Sequence, residues 1–455
     1  MHRERTDSAT HHAADDAQYA PEGEEIMSFR TRAARVAALA VAATALSASV
    51  PAALAGTAVA ASGAPDPVGG TQFYVPKPNH GAIEQVADLR SSGHQSDADL
   101  ISQVIDTPQA VWLTGGSAKQ VEQDARATAN RAAAKKIVPV LVAYNIPYRD
   151  CAQFSAGGAA NTAEYKAWID GLAAGIGDQP AVVILEPDGL GIIPYYTPLF
   201  GPMEWCQPTV DGAPAPEADP AHRFEQLNYA VDRLGTLPNA NVYLDGTHAR
   251  WLGVGEAANR LIKAGVLGAR GFFLNVSNYQ TTAESQIYGR WVSGCIAGAT
   301  NPASWAFGHP DFCPGQYAPP DFSCCTYTPD YVASVDATYA SMGVPSTAHF
   351  VIDTSRNGQG RWIPPAIPPG SFGTDPQDWC NPPDRGLGLR PTAATGVPLL
   401  DAYLWIKIPG ESDGQCNRWD APGSPDPVRG VMDPPAGQWF PDMALELAHN
   451  ANPPL

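Results

Sequence analysis

The feature that most constrains this chain is a short apolar run that stops at two carboxylates. Residues 182–185 read Val-Val-Ile-Leu, and Glu186-Pro187-Asp188-Gly189 follow directly. Four aliphatic residues without alternation indicate a strand buried on both faces, as in a parallel sheet. Proline and glycine end such a strand in a fixed turn. Carboxylates just past a buried strand lie where α/β barrels build their active sites. Alternatively, one of the two carboxylates caps the next helix and the other is exposed to solvent.

The same rhythm of apolar strand, polar loop and helix recurs along the chain. We predict strands at residues 72–75, 110–113, 137–144, 182–185, 241–244, 271–276, 349–353 and 402–408. Helical patterns lie between them, near residues 97–106, 117–135, 162–176 and 220–234. Alternating strands and helices imply a parallel sheet with helices outside it. The prediction is therefore a single α/β domain over residues 71–455, a distorted TIM-like (β/α) barrel.

Aspartates recur at the ends of these predicted strands. They are Asp150, Asp188, Asp245, Asp353 and Asp413. In a barrel all these strand ends share one rim, so we expect the carboxylates to lie near one another. Solvated aspartates scattered over a surface would not need to recur at this one structural place.

The first 70 residues are predicted to lie outside the barrel. Residues 27–55 have a basic start, an alanine-rich apolar run and a small-residue cleavage site, which together predict a secretory signal peptide. The run is too short and too rich in alanine to suit a membrane anchor. Residues 1–26 are predicted to be an unstructured extension or a mis-assigned start, and residues 56–70 are predicted to be a short flexible tail. The true start codon is left open.

The cysteine count and the negative net charge narrow the range of possible functions. An even cysteine count in an exported chain predicts disulfides, with free structural thiols as the alternative. No pair has the spacing of a zinc site, so no metal is predicted. Residues 295–330 hold four cysteines and many prolines, which predicts a disulfide-tied loop insertion. The formal net charge of −18 argues against a nucleic-acid partner.

Two long motifs resemble those of glycoside hydrolase family 6, the endoglucanases and cellobiohydrolases. One is Val-Ala-Tyr-Asn-Ile-Pro-Tyr-Arg-Asp-Cys at residues 142–151, and the other is Leu-Glu-Pro-Asp at residues 185–188. The resemblance runs from about residue 72 to residue 455 and includes residues 243–248, 275–279, 378–381 and 407–414. It implies a distorted barrel with its cleft at the strand ends. It also implies inverting hydrolysis of β-1,4-glucosidic bonds in cellulose and related β-glucans, without a cofactor.

The resemblance assigns catalytic roles to three aspartates. Asp188 matches the general acid, whose pKa must be raised so that it keeps a proton near neutral pH. Asp150 matches a neighbouring carboxylate that disfavours its ionisation, and Asp413 matches the proposed base. A serine that usually helps to hold the attacking water is replaced by Ala156, with Ser155 beside it. That departure leaves the water relay, and with it the identity of the base, open.

The resemblance also predicts sugar contacts. Tyr144 matches the tyrosine that crowds the reacting sugar and favours its distortion. Trp251 and Trp379 match aromatic platforms for glucose rings, with core packing as the alternative for each. His248 is a possible sugar ligand, with a satisfied core histidine as the alternative. Lys407 and Glu411 match residues that hydrogen-bond the sugar on the non-leaving side, and Asp245 and Asn275 are the remaining residues predicted to bind sugar.

Two disulfides follow from the resemblance. Cys151 with Cys206, and Cys380 with Cys416, resemble the family's pairs, each beside a predicted catalytic aspartate. The other four cysteines allow three pairings, and the sequence does not choose among them. They are Cys295, Cys313, Cys324 and Cys325.

Endo action is favoured over exo action. Processive members cover the cleft with two loops; here the first, at residues 151–165, is short and the second, at 414–437, is intermediate. The alternative is a cellobiohydrolase, which residues 436–455 resemble. A non-catalytic glucan-binding protein and a retaining glycosidase are alternatives of other kinds, although the intact aspartates argue against the binder. We expect a secreted monomer whose partner is a β-1,4-glucan chain, without nucleic acid or a stable membrane anchor.

Overall fold

The computed structural model describes residues 71–320, 322, 324–364 and 377–455. The predicted extension, signal peptide and tail fall outside these residues. The strands are β1 (Val111–Leu113), β2 (Val140–Ala143), β3 (Ala181–Leu185), β4 (Thr209–Val210), β5 (Ala213–Pro214), β6 (Ala240–Asp245), β7 (Gly271–Leu274), β8 (His349–Asp353) and β9 (Leu400–Leu404). The helices are α1 (His80–Ser91), α2 (Gln95–Ile105), α3 (Ala118–Ala134), α4 (Thr162–Ile176), α5 (Pro220–Gly235), α6 (Val254–Lys263), α7 (Thr282–Thr300), α8 (Pro329–Ser341) and α9 (Pro441–His449).

Seven of these strands form one sheet in the order β1-β2-β3-β6-β7-β8-β9, and every neighbouring pair is parallel. The edges β1 and β9 meet without forming a ladder. The Ala110 N–H donates to the Trp405 carbonyl at 3.0 Å, and the Trp112 indole N–H donates to the Ile406 carbonyl at 2.8 Å. We call this junction the seam. The predicted α/β fold with a distorted barrel is thus confirmed.

Side chains of the sheet alternate between the barrel interior and the helices. Val142, Ile184 and Tyr243 belong to a buried cluster inside the barrel, whereas Leu141 and Val183 pack with the surrounding helices. This alternation follows from the two-residue period of a strand. Each fully buried aliphatic side chain contributes about 1.5–3 kcal/mol of transfer free energy. The continuous apolar runs in the sequence therefore reflect burial on both faces.

A separate apolar cluster covers the seam. Helices α1 and α2 pack there against α9, with Trp405 and Trp439 between them. The Trp439 indole N–H donates to the Gln85 side-chain oxygen at 2.7 Å, and the Gln85 amide donates to the Pro441 carbonyl at 2.9 Å. The first and last helices of the described chain thus hold the two sheet edges together.

Helix caps explain why two predicted helices begin where they do. The Asn161 side chain accepts from the Glu164 N–H at 2.9 Å at the start of α4. The Asp219 side chain accepts from the His222 N–H at 3.0 Å at the start of α5, where Pro220 is the first helical residue. Both follow the preferences for polar N-caps and an early proline.

Two predicted strands differ from the structure. Residues 72–75 make a single bridge, Phe73 with Val138, rather than a strand. The last strand ends at Leu404, because the N–H groups of Ile406 and Lys407 turn to the Asp353 carboxylate at 3.2 and 2.9 Å. That carboxylate withdraws both residues from the ladder, although the buried Ile406 side chain continues the apolar pattern.

The predicted insertion begins later than the sequence suggested. Cys295 lies inside α7, which continues to Thr300 and is buried along most of its last three turns. A helix buried on several sides shows no clear polar face, so its periodicity was not visible. Of the pairings left open, the structure shows Cys295 bonded to Cys313. None of the helices in the described ranges is long and apolar enough to cross a bilayer.

Candidate active site

A cleft of about 1190 Å³ lies at the carboxyl ends of the sheet strands. Because parallel strands point the same way, residues distant in sequence meet there. The predicted residues that line it are Tyr144, Asp150, Asp188, His248, Trp251, Trp379, Lys407, Glu411 and Asp413. The three predicted catalytic aspartates therefore share one cavity.

The acids at these strand ends have unusual backbone conformations. Asp150, Glu186 and Asp188 have φ angles of 57°, 55° and 62°. The left-handed region costs a residue with a side chain on the order of 1 kcal/mol or more, although aspartate tolerates it better than most. Such conformations persist only where surrounding contacts fix them, so the contacts that hold these loops matter.

Glu186 is one such contact, and the sequence did not reveal its role. Its carboxylate is fully buried and accepts from the N–H groups of Asn145 and Ile146 at 2.9 and 3.0 Å. Burial raises the pKa of Glu186 to about 7, against the lowering effect of those two donors. Glu186 therefore joins the end of β3 to the loop that carries Asp150.

Two buried arginines fix the loop of Asp188 from the helices outside. Arg223 on α5 donates to the carbonyls of Gly189 at 2.6 Å, Ile192 at 2.8 Å and Pro147 at 3.0 Å. It thereby links the Asp188 loop to the Asp150 loop. Arg260 on α6 donates to two more carbonyls of the Asp188 loop and pairs with Glu256 and Glu204. The only sequence signal for either would be an arginine on the apolar face of a helix.

Asp188 is held in its protonated form by its surroundings. Its pKa lies well above the ordinary value, first because burial penalises the charge and then because of the negative charges of Asp245, Asp150 and Asp413. The Lys407 ammonium opposes this shift only in part. A carboxyl group that keeps its proton at neutral pH can act as a general acid.

Asp245 supports Asp188 and does not line the main cleft. Its carboxylate accepts from the N–H groups of Leu190 and Gly191 at 3.2 and 3.0 Å, and from that of Thr247 at 2.8 Å. Burial raises its pKa to about 6. Asp245 thus fixes the Asp188 loop through three backbone donors, and its contact with sugar stays a prediction.

Asn275, another predicted sugar contact, follows β7 directly. It is fully buried, and its amide donates to the carbonyls of Gln280 at 3.2 Å and Asp353 at 3.0 Å. Its oxygen accepts from the Gln280 N–H at 3.0 Å. Asn275 therefore fixes the chain after β7 and does not line the main cleft, and its contact with sugar stays a prediction.

Asp150 lies at the cleft beside Tyr144. Burial raises the pKa of Asp150 to about 6, while the Ser155 N–H, at 2.7 Å, and the charge of Arg149 lower it. The Arg149 guanidinium stacks on the Tyr144 ring at 4.4 Å and binds the Ser155 carbonyl at 2.8 Å. Ser155, next to Ala156, thus holds Asp150 through its backbone.

Asp413 has the opposite environment from Asp188. It accepts from Arg356 at 2.9 Å, from the Asn381 N–H at 3.1 Å and from the Tyr279 hydroxyl at 3.3 Å, and Lys407 lies 3.4 Å away. Burial alone would raise the pKa of Asp413. The charges of Arg356 and Lys407, with the hydrogen bonds, lower it below the ordinary value instead. Asp413 is therefore an ionised carboxylate in the same cleft as a protonated one.

The predicted tryptophan platforms both border the cleft. Trp251 packs over Gly191, where a Cβ would come within 2.4 Å of the indole. The insertion supports it, since the Tyr317 hydroxyl donates to the Trp251 carbonyl at 2.8 Å. Trp379 lies 6.2 Å from the Phe154 ring. Both indoles are partly exposed, and Trp251 also packs against the main hydrophobic core.

His248 is uncharged at the cleft wall. Burial, followed by the charge of Arg250, lowers its pKa to about 3. Its Nδ1 accepts from the Arg250 backbone N–H at 3.2 Å, which places the proton of the neutral ring on Nε2. His248 can therefore donate one hydrogen bond from a fixed tautomer.

Lys407 and Glu411 border the cleft near the seam. The Lys407 ammonium donates to the Ser412 carbonyl at 3.2 Å, and Glu411 accepts from the Asn79 amide at 2.8 Å. Burial raises the pKa of Glu411. Sequence reasoning missed Asn79 and also Trp112, whose ring meets Tyr144 edge to face at 5.3 Å. A partner more than 330 residues away, such as Asn79 for Glu411, leaves no local sequence signal.

The two disulfides implied by the resemblance are present. Cys151–Cys206 joins the residue after Asp150 to the loop that follows Asp188, and Cys380–Cys416 brackets Asp413. Each bridge therefore restrains a loop that presents a catalytic candidate.

Replacing Cys151 and Cys206 together by serine should lower both stability and activity. The loop-entropy relation predicts a loss of about 4 kcal/mol for a bridge spanning 55 residues. The matched control replaces Cys295 and Cys313, a bridge spanning 18 residues, with an expected loss of about 3 kcal/mol. Denaturant unfolding and glucanase assays on both variants measure the effects. Equal activity losses would contradict a specific role for the first bridge.

The chain is similar to known glycoside hydrolases. A family model described as glycosyl hydrolases family 6 matches residues 68–451. Endoglucanase A of Cellulomonas fimi is 34% identical over 388 residues, covering 85% of this chain and 62% of that protein. Endoglucanase A of Thermobispora bispora is 32% identical, covering 88% of this chain and 66% of its own length. The chain thus spans less than two thirds of either relative.

A solved structure matches the domain in three dimensions. The endoglucanase Cel6 from Mycobacterium tuberculosis, in complex with methyl-cellobiosyl-4-deoxy-4-thio-β-D-cellobioside, aligns with a TM-score of 0.60 and 33% identity. The alignment covers 85% of this chain and 99% of that one. The match therefore includes nearly the whole of that enzyme.

Proposed function

Because the chain belongs to glycosyl hydrolases family 6, we propose that it is an inverting β-1,4-glucanase that cuts within cellulose and related β-glucan chains. The observation that carries this proposal is the contrast between Asp188 and Asp413. One carboxyl is held protonated and the other ionised within a single cleft. Inverting hydrolysis requires such a pair, one to donate a proton and one to accept it.

In the proposed reaction Asp188 gives its proton to the glycosidic oxygen as the bond to the anomeric carbon breaks. A water attacks that carbon from the opposite face, and Asp413 accepts the water's proton. Asp150 keeps Asp188 protonated through its own negative charge. Tyr144 bounds the site beside Asp150 and, in this proposal, favours a distorted sugar ring.

The remaining cleft residues position the glucan chain. Trp251 and Trp379 offer ring faces to glucose units, and His248 offers one fixed donor. Lys407 and Glu411 contact hydroxyl groups on the side of the chain near the seam. A substrate without charge suits a cleft whose carboxylates are protonated or already paired.

Endo action is favoured, since the similar proteins reported above carry the name endoglucanase. One observation supports exo action as the second candidate. Gly414 lies so close to Phe154 that an added Cβ would be 2.4 Å from the ring. The two loops that flank the cleft therefore touch at one point, as they would in an enzyme that encloses its substrate.

Hydrolysis of carboxymethylcellulose, followed by viscosity and reducing ends together, tests the function. Endo cleavage gives a steep fall in viscosity for each reducing end formed, because internal cuts shorten the polymer most. Cellobiose release with little change in viscosity would favour the exo candidate. Binding of β-glucan without any cleavage would contradict catalysis and leave a glucan-binding protein on this scaffold.

Replacing Asp150 by asparagine should move the alkaline limb of the pH–rate profile to lower pH. The negative charge of Asp150 raises the pKa of Asp188, so its removal allows Asp188 to lose its proton at a lower pH. Asp245→Asn is the matched control, since Asp245 also raises that pKa but lies outside the main cleft. The alkaline limb should move to lower pH in both variants. An unchanged limb in both variants would contradict the electrostatic account.

The proposed setting is extracellular. The disulfides beside the cleft suit an oxidising compartment, and the predicted signal peptide would deliver the chain there. We propose that the secreted protein acts as a monomer on a β-1,4-glucan chain.

A further inference from the structure

Trp205 is an exposed indole at the rim of the cleft that the roles above leave unused. Its side chain is 58% exposed, and it lines the same cavity as Asp188, His248 and Trp251. Tryptophan is usually among the more buried residue types. Among the described residues, the exposed tryptophans are Trp205 and Trp305, and Trp305 does not line the cleft. An exposed indole at this place needs an explanation.

The backbone on both sides of Trp205 is fixed. Cys206 is bonded to Cys151, and its carbonyl accepts from the Tyr195 N–H at 2.9 Å. On the other side, the Glu204 N–H donates to the Tyr196 carbonyl at 2.8 Å, and its carboxylate pairs with buried Arg260. The indole is thus presented by a rigid support, so little ordering entropy is lost when a ligand stacks on it.

The position of Trp205 extends the cleft away from the seam. Its loop follows β3, and Trp251 follows β6, the next strand in the sheet. In the sheet closed at the seam, β9 is three or four strands away from both β3 and β6 in either direction, so Lys407 and Glu411, which follow β9, lie across the barrel from the two indoles. The two indoles therefore lie on the side of the cleft opposite the one assigned to the non-leaving sugars.

We propose that Trp205 forms an additional stacking position for a glucose unit, beyond the one at Trp251 on the leaving-group side. This inference rests on the proposed glucanase function. It makes the enzyme sensitive to substrate length, because a short oligosaccharide ends before it reaches the indole. A flat, apolar sugar face suits an indole held in water, since stacking removes apolar surface from solvent on both partners.

The test compares Trp205→Ala with Phe200→Ala on cellotetraose and cellohexaose. Phe200 is a matched control, because it is 74% exposed on the same loop but does not line the cleft. Trp205→Ala should lower kcat/KM about tenfold for cellohexaose and leave cellotetraose unchanged. Trp205→Phe should restore most of the loss. Phe200→Ala should leave both substrates unchanged.

Equal losses on both oligosaccharides, or no loss on cellohexaose, would overturn the inference. A calorimetric measurement separates it from the proposed function. Cellohexaose binding is compared between Asp188→Asn and the double variant Asp188→Asn with Trp205→Ala. Suppose that the wild type cleaves no glucan but the double variant still binds cellohexaose more weakly than Asp188→Asn does. The glucanase proposal would then be wrong, and the stacking position would be supported. Equal binding by the two would sink the stacking position, whether or not the wild type is active.

Discussion

Asp188→Asn should lower kcat on soluble β-1,4-glucan by about 10³-fold. The amide has nearly the shape of the protonated carboxyl group but cannot give up a proton to the leaving oxygen. Burial and three neighbouring carboxylates raise the pKa of Asp188 well above its ordinary value, so the neutral amide resembles the form that these surroundings favour. The fold and substrate binding should therefore persist. Initial rates on carboxymethylcellulose, with oligosaccharide binding measured in parallel, check this.

A substrate that needs no acid provides the control. In a dinitrophenyl cello-oligosaccharide the leaving phenolate departs without protonation, so Asp188→Asn should cleave it nearly as fast as the wild type. A large loss on both the natural and the activated substrate would mean that Asp188 shapes the site and does not donate the proton. Thermal unfolding of the variant would show whether that loss comes from a damaged fold.

Asp413→Asn should lower kcat by about 10²- to 10⁴-fold, because the carboxylate proposed to accept the proton from water would be lost. It should also lower stability. Buried Arg356 would lose its negative partner, and breaking a buried ion pair costs about 3–5 kcal/mol. Activity must therefore be measured well below the variant's unfolding temperature. Retained binding of cellotetraose with lost turnover is the expected pattern.

The acid limb of the wild-type pH–rate profile distinguishes between two candidate bases, Asp413 and Asp150. The pKa of Asp413 lies below its ordinary value of 3.8, so Asp413 stays ionised as the pH falls to about that value. The pKa of Asp150 is raised to about 6. If Asp413 is the base, turnover should persist below pH 5 and fall only in stronger acid. A rate that falls through pH 6 would instead point to Asp150.

Much of the barrel was predictable because its strands are buried on both faces. The run at residues 182–185 is uniformly apolar for that reason, and the acid after it marks the strand end. The aspartates at the ends of β3, β6 and β8 follow the same logic. Helices were less visible. Helix α7 is buried on several sides, which removes the polar face that periodicity depends on.

The supporting contacts of the site were not predictable from local sequence. Asp245 and Asn275 stand at strand ends like the catalytic candidates, yet backbone donors or buried amide contacts occupy them. Arg223 reaches the Asp188 loop from more than 30 residues away. Composition and spacing identify which residue types gather at the rim. They do not say which of them face the cavity, because that depends on how each loop folds back.

The seam has a consequence for the order in which the domain assembles. Gln85 and Trp439 are 354 residues apart, and the sheet edges meet only where such distant segments come together. Contacts of large sequence separation form late in folding, after loop closure has been achieved. The backbone amide protons of β1 and β9 should consequently exchange with solvent faster than those of β3 and β6 at the centre of the sheet. The barrel would then open at the seam, with β3 and β6 the last strands to separate.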